Sequence, residues 1–241
     1  MAKIDGHGST KLNTLATKGM LMAGQANGFL AIWSTVAAEV ETDYLHWLTR
    51  EHVFERVGVD GFHSGRVFKR VSVDPSEYFI LYELDNSAIV ASPQYLDRLN
   101  NPTPWSQRIM PILGGFRRGG GRLVAESAGK GAGTFVAVLR FDDHLPSFFE
   151  GVAAKDFVEL LANVDTISRV RIFSVAEDST QISTLEKSMR RGDESSFGGF
   201  LIIEGVNEDC VSKAVQRSRS ELAGASFVVE VFAQVFSYHG G

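Results

Sequence analysis

TDYLHWLTREHVFERVGVDGFHSGRVFKR, residues 42–70, reads as an amphipathic helix, a glycine-containing turn and a long strand. Asp43, or Thr42 before it, suits the N-cap of a helix running from Tyr44 to Val57. Steps of three and four residues bring Leu45, Leu48 and His52 onto one helical face, which would pack on a sheet. His52 is therefore expected to point inward, and His46 and Arg50 elsewhere. Gly58 and Gly61 end the helix and turn the chain into FHSGRVFKRVSV, a strand. Three of the chain's six histidines, His46, His52 and His63, lie in this stretch.

Upstream, GFLAIWSTV (28–36) is β-rich, and residues 1–27 form a polar extension that would end in a short helix. Downstream, DPSE (74–77) suits a turn, and YFILYELDN (78–86) is an apolar strand of the kind buried on both faces. SPQYLDRLN and WSQRIMPI are helical pieces interrupted by Pro102 and Pro104. GGFRRGGGR (114–122) lacks the lysine and serine or threonine of a phosphate loop, so it reads as a glycine-rich hairpin or bulge leading into a fourth strand. After the small-residue linker AGKGAG (128–133), strand, helix, strand, polar segment, strand, helix and strand follow. Two β-α-β-β-α-β units of an α+β chain, residues 28–127 and 134–241, fit this order better than one doubly wound sheet, because two strands in each unit adjoin without a helix between them.

The totals narrow the function. The 241 residues are 44% hydrophobic and 22% charged, enough apolar material for a sizeable core. A net charge of −5 argues against nucleic acid as a partner. No apolar run is long enough to span a membrane, no secretory signal is visible, and Cys210 stands alone, so a cytoplasmic location is expected.

Several side chains are candidates for chemistry. His52 titrates near neutrality and would move protons, or it is a core histidine satisfied by a hydrogen bond. Arg56, one turn later, and Arg66 on the next strand would bind a carboxylate or an enolate, or form structural ion pairs. Tyr82 and Glu83 point to opposite faces of their strand, so one of them should face a helix-side pocket, as oxyanion donor or as base. Trp47, Tyr95 and Trp105 would wall an aromatic pocket or simply pack. His46 and His52 are six residues apart and do not converge on a helix, so no metal is expected.

The order Trp47 and His52 in WLTREH, Glu55-Arg56, Gly61-Phe62, Arg66, YFILYEL, SPQYL and NPTPWS, over residues 28–118, resembles the EthD-like members of the dimeric α/β-barrel (ferredoxin-like) superfamily. The resemblance implies a pseudo-dimeric α/β barrel made of two ferredoxin-like repeats in one chain. The second repeat would be degenerate, since its helix FVELLANV has no counterpart to the W…EH pattern. Members of the superfamily include cofactor-free monooxygenases, lactone isomerases and cyclases. The resemblance thus implies a cofactor-independent enzyme for a small hydrophobic, aromatic or lactone-type metabolite, of isomerase or lyase type, with His52, Tyr82 and Arg66 catalytic. Trp47, Arg56, Phe62, Glu83, Tyr95 and Trp105 would bind the substrate. A cofactor-free monooxygenase and a non-catalytic binding or assembly protein are the alternatives. Some tandem barrels of this class bind haem, but the second-half helices hold no histidine to ligate it, so no cofactor is expected. A homodimer would form through exposed sheet edges. The enzyme reading requires a cavity of roughly 300 Å³ or more beside His52.

Overall fold

A computed structural model of the chain describes residues 27–176, 182–192 and 194–240. The short helix expected near residues 12–25 lies outside them. Eight strands run as β1 (Gly28–Val36), β2 (Phe62–Arg70), β3 (Ser76–Leu84), β4 (Gly114–Glu126), β5 (Phe135–Phe141), β6 (Ile167–Val175), β7 (Gly199–Gly205) and β8 (Val228–His239). They close into an antiparallel barrel in the order β1-β3-β2-β8-β5-β7-β6-β4. Each half of the chain supplies four consecutive staves, with the strand order repeated. The halves join where β2 pairs with β8, from Ser64↔His239 to Arg70↔Phe232, and where β4 pairs with β6, from Gly121↔Val175 to Glu126↔Arg171. This closure leaves the eight strands no free edge. The edge pairing that motivated the expected homodimer is therefore not offered by these strands.

Helices pack outside the barrel. The helical run over residues 41–57 consists of α1 (Glu41–Trp47), a wide π turn (Leu48–His52) and α2 (Val53–Val57). It starts earlier than expected. A 3₁₀ turn at Ala38–Val40 leads into it, and the N-cap is Val40, without a side-chain cap. Asp43, expected as the cap, instead accepts a hydrogen bond from the Trp105 indole at 3.1 Å. Helices α3 (Pro93–Asn100) and α4 (Pro104–Ile109) are capped by Ser92 and Thr103, whose hydroxyls accept from Tyr95 N and Ser106 N. The second half carries α5 (Val152–Ala162), α6 (Leu185–Met189) and α7 (Glu208–Glu221). None of the described helices is long and apolar enough to cross a membrane.

Period-2 alternation sorts the strand side chains into separate cores. Along β3, Tyr78, Ile80, Tyr82 and Leu84 join the core beneath the first-half helices, whereas Phe79 and Leu81 face the barrel interior. The interior is filled by aromatic rings, with Trp33 against Phe79 (4.5 Å between centroids) and Phe173 stacked on Phe200 (4.8 Å). Buried ion pairs close both ends. At one, Glu204 holds Arg66 (2.7 Å) and Arg171 (2.8 Å); at the other, Glu230 holds Arg140 (2.9 Å) and the Trp33 indole (3.1 Å). A third core lies beneath the helices of the second half.

The glycine run 114–122 is mostly strand rather than hairpin. A bulge near Gly115 (φ 53°) opens β4, and a second register shift lies between Leu123 and Ala125 on the β6 side. Glycine is required at Gly121, where a Cβ would meet the Ser174 carbonyl oxygen at 2.0 Å. The β4–β6 seam depends on that close approach.

Candidate functional site

Residues five apart on an α-helix point about 140° apart. Trp47 and His52 nevertheless stack, with ring centroids 4.0 Å apart and planes at 31°. The π turn between them makes this possible, because its wider winding lets residue 52 come round beneath residue 47. The Trp47 indole is fixed from its other side by a hydrogen bond to Ser106 Oγ (3.1 Å), which in turn lies 3.1 Å from Thr103 Oγ1. Thr103 also donates to Glu51, so a polar chain ties α4 to the π turn. His52 is 4% exposed, and its Nδ1 has no hydrogen-bond partner among the described residues. Burial, and secondarily the Arg56 charge, hold its imidazole well below the usual histidine range, so the ring is neutral at pH 7.

A cavity of about 40 Å³ adjoins this ring. Trp47, Tyr44, Tyr95 and Phe116 form its aromatic side, and His52, Arg56 and Arg118 its polar side. It is far smaller than the pocket the enzyme reading requires and has space for about one to three waters. The cover comes from the second half. Residues 71–75 join β2 to β3, but the equivalent connection between β6 and β7 spans residues 176–198 and carries α6 across the first half. Leu185 N donates to Asn100 Oδ1 (3.0 Å), Ser195 N donates to the Phe116 carbonyl (3.2 Å), and the Arg190 guanidinium lies 4.0 Å from the Phe116 ring centroid. Glu186 of α6 is buried and accepts a hydrogen bond from Arg56 Nη2.

Arg56 is 2% exposed and sits 5.8 Å from the Tyr95 ring centroid. Burial opposes its charge, but Glu186 and neighbouring acids outweigh this and hold it above the usual arginine range. Its Nη1 has no hydrogen-bond partner among the described residues; Glu55 Oε2 lies 3.8 Å away. Burial raises the Glu55 carboxyl above the ordinary carboxylate range, partly opposed by Arg56. Arg118 reaches the same Tyr95 ring at 5.9 Å. Phe62 stacks on Tyr95 (5.4 Å) and meets Tyr82 edge-on (5.7 Å). Tyr82 is fully buried on the helix side, behind the cavity wall, and its hydroxyl has no partner among the described residues. Burial raises its pKa, so the hydroxyl keeps its proton at any ordinary pH.

The structure separates three of the sequence candidates from this cluster. Arg66 does not face His52. It points into the barrel, where its donors go to Glu204, Gln234 Oε1 (2.8 Å) and the Gly133 carbonyl (3.2 Å). Glu83 also faces inward and pairs with Arg171, so the helix side received Tyr82. Trp105 is bound to Asp43 at the helix start and does not line the cavity. Strand parity accounts for Arg66 and Glu83, which share the barrel-facing register.

Other residues of the site carry little sequence signal. Arg118 lies in the glycine-rich run 114–122, whose composition suggests a turn. Glu186 and Arg190 lay in a polar segment, STQISTLEKSMRRGDES, whose length compared with residues 71–75 was the available signal. Tyr44 lines the cavity and shares a 3.0 Å hydrogen bond with Ser34. Among the described residues, no three His, Cys, Asp or Glu side chains gather as metal ligands would.

No protein-family model matches the chain, and no curated protein matches it in sequence. Solved structures do. A candidate monooxygenase of Fusobacterium nucleatum superposes with a TM-score of 0.56 at 14% identity, over 90% of this chain and 96% of that one. An anthrone oxidase-like protein superposes with a TM-score of 0.57 at 12% identity, over 90% and 94% of the two chains. A candidate monooxygenase of Lactobacillus acidophilus gives 0.50 at 9% identity, over 88% and 96%. At such identities the likeness speaks to the fold alone: the chain shares with these structures an α+β architecture, here an eight-stranded antiparallel barrel with helices outside.

Proposed function

We propose that this chain is a cofactor-independent enzyme for a small hydrophobic, aromatic or lactone-type metabolite, built as two ferredoxin-like repeats and related to EthD-like proteins. One observation carries the reading: His52, buried and neutral and with no hydrogen-bond partner on Nδ1 among the described residues, lines a cavity with aromatic walls, which must widen from its about 40 Å³ to admit such a substrate. A neutral imidazole can take a proton, and water exclusion around it strengthens each charge interaction that follows. In this reading His52 is the base. Arg56, whose Nη1 has no hydrogen-bond partner among the described residues and lies 3.8 Å from Glu55, stabilises the enolate-like anion; Tyr82 stands behind the wall and does not line the cavity. Trp47 and Tyr95 hold the substrate's apolar body. Arg66 braces the barrel. The reaction class is isomerisation, elimination or ring opening.

Oxygenation is the first alternative, in which the substrate carbanion itself reduces oxygen; the names of the fold neighbours speak for it. The size of the cavity, about 40 Å³, favours a second reading, a non-catalytic protein that binds a ligand or partner. The buried, unpaired Cys210 accords with a cytoplasmic location. A thermal-shift screen of aromatic and lactone compounds identifies ligands, and turnover of those ligands by His52→Gln then decides. Loss of turnover with folding and ligand binding retained supports the base role; unchanged turnover removes His52 from the mechanism.

A further inference from the structure

We propose that the ligand of this pocket carries a carboxylate, which takes the place of Glu186 on Arg56. The inference rests on the His52 cavity being a ligand site and adds the charge of what enters it.

The cavity as it stands is too small for a ring. A ligand must displace part of its wall, and α6 is the part contributed by the other half of the chain. That helix has five residues and brings one carboxylate, Glu186, onto Arg56. The walls hold Arg56, Arg118, Lys187 and Arg190 against Glu186 and Glu194. Glu194 is taken by Arg190 (2.9 Å) and lies 3.9 Å from Lys187. Glu186 is thus the acid of the wall that answers Arg56; Glu55, outside the wall, lies 3.8 Å from Arg56 Nη1.

Exchange of one carboxylate for another preserves the buried ion pair. A neutral ligand that displaced Glu186 would leave a guanidinium, 2% exposed, without its hydrogen-bonded anion and with only Glu55 at 3.8 Å, and a weakly compensated buried charge is unfavourable. The site therefore selects for acids by the cost of the alternative. Arg56 has further capacity for one. Glu186 engages Nη2, while Nη1 has no hydrogen-bond partner among the described residues. A carboxylate seated on both prongs would make the paired contact that a guanidinium favours. Its apolar body would then lie among Trp47, Tyr95 and Phe116, with His52 Nδ1 at hand. Glu186 is in effect a resident competitor.

Benzoate and benzamide, nearly isosteric and differing in charge, test this by calorimetry on the full chain. Wild type should bind benzoate at least about 10-fold more tightly than benzamide, and Glu186→Gln should tighten benzoate by about 10-fold more by removing the competing charge. The double variant Arg56→Met with Glu186→Met keeps the site filled without the Arg56–Glu186 pair, and in it the preference for the acid should vanish. Equal binding of the two probes by wild type overturns the proposal. So does unchanged benzoate affinity in Glu186→Gln, a preference surviving in the double variant, or binding of neither probe at about 1 mM. The catalytic reading fails separately. Acid preference with turnover unaffected by His52→Gln keeps this inference and discards that one; loss of turnover in His52→Gln without acid preference does the reverse.

Discussion

The Trp47 indole lies on the His52 imidazole at 4.0 Å although five residues separate them on one helix. The π turn at Leu48–His52 produces the contact, and the contact buries the imidazole. Burial, in turn, sets the protonation state on which the proposed chemistry depends.

Acid should reveal that burial. The His52 imidazole is depressed below the histidine value of 6.5 that the unfolded chain would show. Below pH 6.5 the unfolded state binds a proton that the folded state does not, so stability falls as pH falls, at about 1.4 kcal/mol per pH unit until the folded value is reached. Urea unfolding between pH 7 and 5 should show a shallower slope in His52→Gln than in wild type. Identical slopes would mean that His52 titrates normally.

Arg56 and Glu186 should behave as a coupled pair across the two halves of the chain. Either Arg56→Met or Glu186→Met alone strands a buried charge and should cost roughly 3–5 kcal/mol. The double variant should recover most of the loss, which a double-mutant cycle in urea measures directly. Additive losses would show that the pair contributes no coupling.

Arg66 and Glu204 should matter for stability and little for the pocket. Burial opposes ionisation of Glu204, but Arg171 and Arg66 outweigh it and keep its carboxyl below the ordinary range. Its contribution is therefore present above the unfolded carboxylate value of 4.5 and is lost as pH falls through the lower folded value. Glu204→Gln should destabilise by roughly 3–5 kcal/mol at pH 7 and flatten the acid limb. Arg66→Gln should destabilise less, since Arg171 remains on Glu204, and should leave ligand affinity in the His52 pocket within about 3-fold, because it lies on the other face of the sheet.

Gly65 sits where β2 passes beneath α2. A Cβ there would come within 2.8 Å of both the Tyr82 ring and Val53. Gly65→Ala should cost roughly 1–3 kcal/mol in thermal or urea unfolding. An unchanged midpoint would mean that the α2–β2 interface gives way without strain.

Much of the architecture could be read from local pattern. The strand expected at residues 28–36 is β1 from Gly28 to Val36, and the doubly apolar YFILYEL is β3, buried between barrel interior and helices. α-Helical facing places His52 inward, and it is buried, although the turn that carries it is a π turn. Where local pattern misled, a partner distant in sequence had intervened. Asp43 was taken from its capping role by Trp105, and the glycines of β4 serve a close approach to β6 rather than a turn.

Strand parity and the inward histidine follow from the chain alone, because each is a repeat of two to four residues imposed by backbone geometry, and element order follows from where one period gives way to the other. The closed barrel, the faces assigned to Arg66 and Glu83, and the closing of the His52 cavity by Glu186 required the tertiary structure. Residues 56 and 186 are 130 apart, and a contact over that separation depends on how the two halves pack, which leaves no local periodicity to read.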